Sequence, residues 1–482
     1  MICLDSPVTG YCILSYRNFE RGVCMEKMVE GNQLESGRIN KIILKFAVPC
    51  VIAMVVSALY NIVDQIFIGQ GVGYIGNAAT NVAFPIIVLA QGFAFLMGDG
   101  AAAFYSIKMG EKNTEDGAKA IGNAITLLIL IGVVFLVAGY IFMEKLLWIF
   151  GATSSNISYA SDYMSIILVG IPFMIISCGM SSIIRADGNP QYSMAALILG
   201  AVLNFILDPL FIFTFNMGVK GAAFATIIGQ IISCMISIGY IRKFQNIKFS
   251  IRLLKLDFKI LKIVMLFGVS TFITQIAVTI IVIVSNNMLA RYGAQSVYGS
   301  DIPLSAVGIV MKVNDILIGI IIGIAVGGQP IAGYNYGAKN FNRVKEIYFM
   351  LIKMSTLVSI AGFILFQVFP QYIVNLFGAS DALYNEFALK SFRIFLMLCI
   401  FIGFELTTSI FFQAIGQPAK AITLTLCKQT IFIVPLMIIL PKYIGVEGVL
   451  YAGPIAELLS TIVTSILIVN EFKNINKLTV NN

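Results

Sequence analysis

The sequence predicts an all-α polytopic membrane protein: twelve transmembrane helices in two parallel six-helix bundles related by pseudo-twofold symmetry. Three observations predict it. Of the 482 residues 59% are hydrophobic and only 12% charged, where soluble domains carry about 25% charged residues, and the mean hydropathy is +0.92. Apolar runs of roughly 20 residues, the length that spans a bilayer, recur at about 42–68, 79–107, 120–143, 161–184, 193–215, 222–241, 263–290, 302–328, 346–369, 390–412, 420–440 and 448–470. The third observation is a duplication. Gly110-Glu111-Lys112-Asn113 returns as Gly337-Ala338-Lys339-Asn340, Phe150-Gly151-Ala152 as Phe377-Gly378-Ala379, and Gly218-Val219-Lys220-Gly221 as Gly445-Val446-Glu447-Gly448, each 227 positions on. Gly188-Asn189-Pro190 returns as Gly416-Gln417-Pro418 at 228. Six spans per half insert in the same sense, so a twofold axis along the membrane normal relates the halves and a cleft lies between them.

The chain divides accordingly. Residues 1–36 are expected to be a disordered tail, 37–241 the N-terminal bundle, 242–262 a basic linker, 263–472 the C-terminal bundle and 473–482 a C-terminal tail. The leader has no apolar core of a signal peptide, and Met25 or Met28 would serve equally well as a start. Arg242, Lys243, Lys248, Arg252, Lys255, Lys259 and Lys262 stand against one acid, Asp257, between the sixth and seventh spans. Positive loops stay inside, so linker and both termini are expected on the cytoplasmic side of the cell membrane. The net charge of +8 is then a topology signal and implies no nucleic-acid partner. The eight cysteines have no paired or metal-type spacing and read as small buried residues. Histidine is absent, which removes a histidine proton relay and most zinc or haem chemistry. Neither a cofactor nor a resident metal is expected.

Charges inside the spans carry the function. In the first span Pro49 lies either within the helix, where it would allow a bend, or in the first turn, where proline is harmless. Asp64 sits about four residues, roughly 6 Å, from the outer end of that span, and Asp208 about seven, roughly 10 Å, from the end of the fifth. Asn204 precedes Asp208 by one turn on the same face, and Pro209 removes the amide that would bond the Phe205 carbonyl. Thr226 of the sixth span lies about four residues from its outer end. A carboxylate at membrane depth needs a cavity or partners, and polar groups converging from three helices at one depth suit a cation. Lys312 and Asp315, three residues apart, are expected to neutralise each other on one helix face. Asp99 needs only snorkelling or a partner lysine. Glu405, Lys428 and Glu457 could form a second polar cluster in the C-terminal half.

These residues resemble the multidrug and toxic compound extrusion (MATE) transporters from Gly37 to Phe472. The marks are Leu59-Tyr60-Asn61-Ile62-Val63-Asp64-Gln65-Ile66-Phe67-Ile68-Gly69, Arg185-Ala186-Asp187-Gly188-Asn189-Pro190, Leu203-Asn204-Phe205-Ile206-Leu207-Asp208-Pro209, and Gly328-Gln329-Pro330-Ile331-Ala332-Gly333-Tyr334-Asn335-Tyr336-Gly337-Ala338-Lys339. The resemblance implies export of amphipathic, often cationic, organic compounds coupled to H⁺ or Na⁺, with Asp64, Asn204, Asp208 and Thr226 as the cation ligands. It departs from the family in the seventh span, which contains no carboxylate. Gln275 is its most polar candidate there, while Glu405 lies near a tenth-span acid of some members. A monomer in contact with membrane lipid, with Pro49 as a hinge and no enzymatic activity, is the expected working form. A lipid-linked oligosaccharide flippase of the same superfamily is the alternative; a membrane enzyme lacks histidine and a nucleophile motif, and a channel would give only passive flux.

Overall fold

The structure, a computed structural model, describes residues 34–153, 156–376 and 382–480. Phe377-Gly378-Ala379, Cys3, Cys12, Cys24 and most of the expected N-terminal tail lie outside them. The spans are α1 Ile39–Val72, α2 Tyr74–Gly110, α3 Thr114–Ile149, α4 Ile157–Ala186, α5 Pro190–Thr214, α6 Val219–Gly239, α7 Phe258–Gly293, α8 Asp301–Gly337 and α9 Phe341–Val368. After these come α10, α11 Pro418–Ile444 and α12 Glu447–Val480. α10 is a bent pair, Ala382–Phe395 and Cys399–Ala414 at 44°, so the described residues hold eleven continuous apolar helices and twelve spans when the pair is counted as one. The helices outrun the apolar runs at both ends because their caps are polar. Asn113 accepts from the Asp116 amide at 3.2 Å, Asn189 from the Tyr192 amide at 3.1 Å with Pro190 following, and Asp257 from the Lys259 amide at 3.0 Å. Such caps satisfy amides that the first helical turn leaves open.

The duplication is visible in the backbone. Lys112 and Lys339 take positive φ of 61° and 59°, Gly188 and Gly416 of 100° and 76°, and Gly218 and Gly445 of 57° and 66°. Lysine there bears the strain of the left-handed region, and the same residue does so in both halves.

The Arg-Ala-Asp-Gly-Asn-Pro turn holds the linker end together. The buried Asp187 carboxylate accepts from the Tyr105 hydroxyl at 2.8 Å, the Tyr240 hydroxyl at 2.9 Å and the Gln245 amide at 2.8 Å, tying α2, α6 and the linker to the α4–α5 turn. Burial pushes this carboxyl up, against the pull of those donors. Asp99 pairs with Arg185 of the same turn at 3.8 Å and accepts from the Ser182 hydroxyl at 2.6 Å. Its partner is thus an arginine from α4, where a lysine or snorkelling was expected. The expected self-pair of Lys312 with Asp315 does not form: no ion pair joins them among the described residues. Both side chains are exposed.

The two halves meet at the linker end and part towards the other. Gly100 lies against the Val264 carbonyl, Gly268 against that of Leu96, Gly110 against Tyr334 and Gly337 against Ile107. Between α1 and α8, a Cβ at Gly327 would come 2.6 Å from Ala47 Cα, one at Gly323 2.6 Å from Val51 Cα, and one at Gly319 3.7 Å from Met54 Cβ. At Gly308, nearer the far end, nothing lies within 4 Å. The seam therefore opens along α8. Gly327→Val is expected to weaken it by about 1–3 kcal/mol, as overpacking does, read as a lower unfolding midpoint in detergent; an unchanged midpoint would mean that the helices part there at no cost.

Candidate functional site

The N-terminal half brings together all four residues marked by spacing. α1 continues to Val72 and α5 to Thr214, while α6 begins at Val219. Asp64, Asp208 and Thr226 thus lie about 12, 9 and 10 Å from the far ends of their helices by the helical rise. α5 and α6 touch backbone to backbone beside them: a Cβ on Gly229 would lie 2.6 Å from the Gly200 carbonyl oxygen, and one on Gly200 2.8 Å from that of Gly229. This approach lets the Asn204 Nδ2 donate to Thr226 Oγ1 at 3.1 Å. From α1 the Tyr60 hydroxyl reaches the same Thr226 oxygen at 3.4 Å. Pro209 is followed by a π-helical stretch, Leu210–Thr214, a wide turn of the kind found at functional positions. Beyond Asp64, Phe67 lies tilted against Phe205 and edge to face with Phe213, with centroids 5.9 and 6.3 Å apart, so the site is roofed by rings from α1 and α5.

The electrostatics are unusual for a protein interior. Asp64, Asn204, Asp208 and Thr226 are each no more than 8% exposed, and the two carboxyl groups are near enough to act on each other directly. Among the described residues Asp64 Oδ1, Asn204 Oδ1 and both Asp208 oxygens accept no hydrogen bond of ordinary length and angle, although the Asn204 amide stands near enough to Asp208 to act on it. Buried polar atoms almost always find partners, and an unpaired buried carboxylate is costly. Four acceptor oxygens without a donor are a cage short of a positive charge. A proton on one aspartate would bridge to the other, and Na⁺ would find four hard oxygen ligands, so the donor set fits either ion.

Tyr60 and Tyr163 belong to this site and were not singled out as members of it. Tyr163 of α4 is 6% exposed and stands close to Asp64, Asp208 and Tyr60. Tyr60 precedes Asp64 by one turn, so the spacing could have found it. Tyr163 comes from a separate helix, and no spacing within the chain relates it to the others.

In the other half, Lys428 bonds Glu405 at 2.9 Å and Glu457 at 2.7 Å, from a π-helical stretch, Leu426–Ile433. The three residues from α10, α11 and α12 thus form one cluster, with an ammonium between two carboxylates. Gln275 of α7 packs its Cβ against Gly92. Pro49 lies inside α1, ten residues past its start, between Ala47 and Val51, the two residues seated on the α8 glycines. Cys50, Cys178, Cys234, Cys399 and Cys427 are free thiols. A cavity of about 280 Å³ lined by Lys45, Ser106, Lys112, Gln245 and Pro330 lies at the linker end, away from Asp64 and Asp208.

The sequence matches the MatE family over residues 49–210 and 270–439. It is 26% identical over 437 residues to the multidrug export protein MepA of Staphylococcus aureus, covering 90% of this chain and 94% of that protein. The structure of the MATE multidrug transporter DinF-BH is 34% identical, covers 90% of this chain and 96% of that one, and superimposes with a TM-score of 0.84. The outward-facing conformation of a multidrug resistance MATE family transporter of the MOP superfamily shares the fold at a TM-score of 0.85 with 24% identity, over 93% of this chain and 98% of that one. The paired bundles and these matches lead to one assignment: the chain belongs to the MatE family of membrane transporters and is not an enzyme.

Proposed function

We propose that this transporter exports amphipathic, often cationic, organic compounds by alternating access, driven by H⁺ or Na⁺ at Asp64, Asn204, Asp208 and Thr226. The observation that carries this reading is the set of four unpaired buried oxygens beside a cleft that is closed at one end. The printed names of the relatives, multidrug export protein and multidrug transporter, support it. With the basic linker facing the cytoplasm, the closed end is the inner one, and the cleft opens outward.

A cation entering from outside removes negative charge between Asp64 and Asp208 and draws α1 towards α5. The inner part of α1 is pinned to α8 at Ala47 and Val51, so Pro49 is the point about which the rest of the helix turns. The outer part then narrows the cleft, and bound compound leaves. A ligand shifts such an equilibrium only by its difference in affinity for the two states, so cation and compound must favour opposite conformers. The protein works as a monomer in the cell membrane, with both termini inside.

The test is efflux of ethidium from liposomes containing the purified protein, under a pH gradient alone and a Na⁺ gradient alone. Uphill export under either one supports the reading and names the ion. Flux that stops at equilibrium would indicate a channel, and no flux under either gradient would move the reading to the flippase.

A further inference from the structure

One charged pair has no place in that mechanism. Lys312 and Asp315 stand on α8 about 17–21 Å from its start at Asp301 by the helical rise, at the depth of the cleft floor. Positions 308, 312, 315, 319 and 323 fall on one face of the helix, and Gly319 and Gly323 of that face rest on Met54 and Val51 of α1. The opposite face, with Ala306, Val310, Leu317 and Ile321, is buried in the C-terminal core. Where the seam parts, the glycine face is therefore turned across the cleft towards Ala58 and Asn61 of α1, and it presents Lys312 and Asp315 there. Both are exposed, and neither has an ion pair or side-chain hydrogen bond among the described residues.

Charges at membrane depth face cavities and mark the path of a substrate. Residues three apart on a helix hold their Cβ atoms about 5–6 Å from each other, yet these two headgroups do not neutralise one another. An ammonium and a carboxylate are both left free, side by side, on an otherwise apolar wall. A purely cationic compound would satisfy Asp315 and be repelled by Lys312. A compound with one group of each sign satisfies both.

We propose that Lys312 and Asp315 are the polar half of the substrate site in the cleft, and that the site takes amphipathic zwitterions, an organic cation that also carries a carboxylate. This rests on the export reading above and names its substrate class. Lys312 binds the carboxylate of the compound, Asp315 its cationic group, and the apolar body lies along α1 and α8.

The experiment compares two dyes that differ only at the carboxyl group, tetramethylrhodamine with its free carboxylate and its methyl ester, binding to the purified protein in detergent, read by fluorescence polarisation. The wild type is expected to bind the acid about tenfold more tightly than the ester, the size of one contact to a charged group. Lys312→Gln should erase that preference by weakening the acid alone, Lys312→Arg should keep it, and Asp315→Asn should weaken both dyes. Equal binding of acid and ester by the wild type, or an unchanged ratio in Lys312→Gln, would overturn the proposal. Liposome export of the same dyes is read separately. A charge preference that behaves as expected without any export leaves the site standing and removes the export reading.

Discussion

Asp64→Asn is expected to bring gradient-driven ethidium export down to the rate of protein-free liposomes while the protein still folds and still binds the dye. The side chain is 8% exposed, and its Oδ1 has no donor among the described residues. Asparagine has nearly the same shape and cannot change its charge. Its amide can donate to the Asp208 carboxylate, which lies close by, so a repulsive pair becomes a hydrogen bond. The site is then satisfied permanently, in the manner of the cation-loaded state, and a gradient has no charge left to move. Stability should stay level or rise by about 0.5–1.5 kcal/mol, the worth of one net hydrogen bond. An unfolding midpoint in detergent at or above wild type, together with lost export, is the expected pair of results. Wild-type export in Asp64→Asn would take the coupling site away from α1 altogether. A falling midpoint would mean that Asp64 holds the bundle together and would leave coupling to be read from Asp208→Asn.

The N-terminal site was legible because depth and one-turn spacing are properties of single helices. Asn204 and Asp208 share a face by their spacing, and Asp64 and Thr226 could be set at the same depth by counting from the ends of the apolar runs. What spacing cannot give is the company a side chain keeps. Tyr163 reaches the site from α4, and nothing in its own surroundings marks it. Lys312 and Asp315 share a face as expected, but a shared face does not fix rotamers, and no ion pair joins them among the described residues. Asp99 found an arginine from the last turn of α4, Arg185, in the same motif that marks the family. The break in α10 falls at Leu396-Met397-Leu398, with no proline or glycine to announce it, so an apolar run reads straight through it. Lys428 could be grouped with Glu405 and Glu457 by composition, but its bridging position depends on the π-helical stretch that carries it.

That bridging lysine carries the second large effect. Among the described residues Lys428 is the one ammonium between Glu405 and Glu457, and the two glutamates are only 4% and 6% exposed. Removing one partner of a buried ion pair leaves an uncompensated charge and costs about 3–5 kcal/mol; here it leaves two carboxylates facing each other. Lys428→Met, which keeps most of the length of the side chain, is therefore expected to lower stability by at least that amount, seen as a large drop in unfolding midpoint and a lower yield of folded protein. The variant that also carries Glu405→Gln and Glu457→Gln has no charge left to strand, and amides can bond to one another, so it should recover most of the loss. Buried ion pairs replaced as a whole are often neutral for stability, and that asymmetry is what the comparison measures. If Lys428→Met is as stable as wild type, the lysine does not hold the two glutamates. If the triple variant is no better than the single one, the loss comes from packing around α11 and not from charge. If the triple variant is stable and still exports under the same gradient as wild type, the C-terminal cluster is a self-neutralised piece of scaffold, and the coupling charge moves only between Asp64 and Asp208.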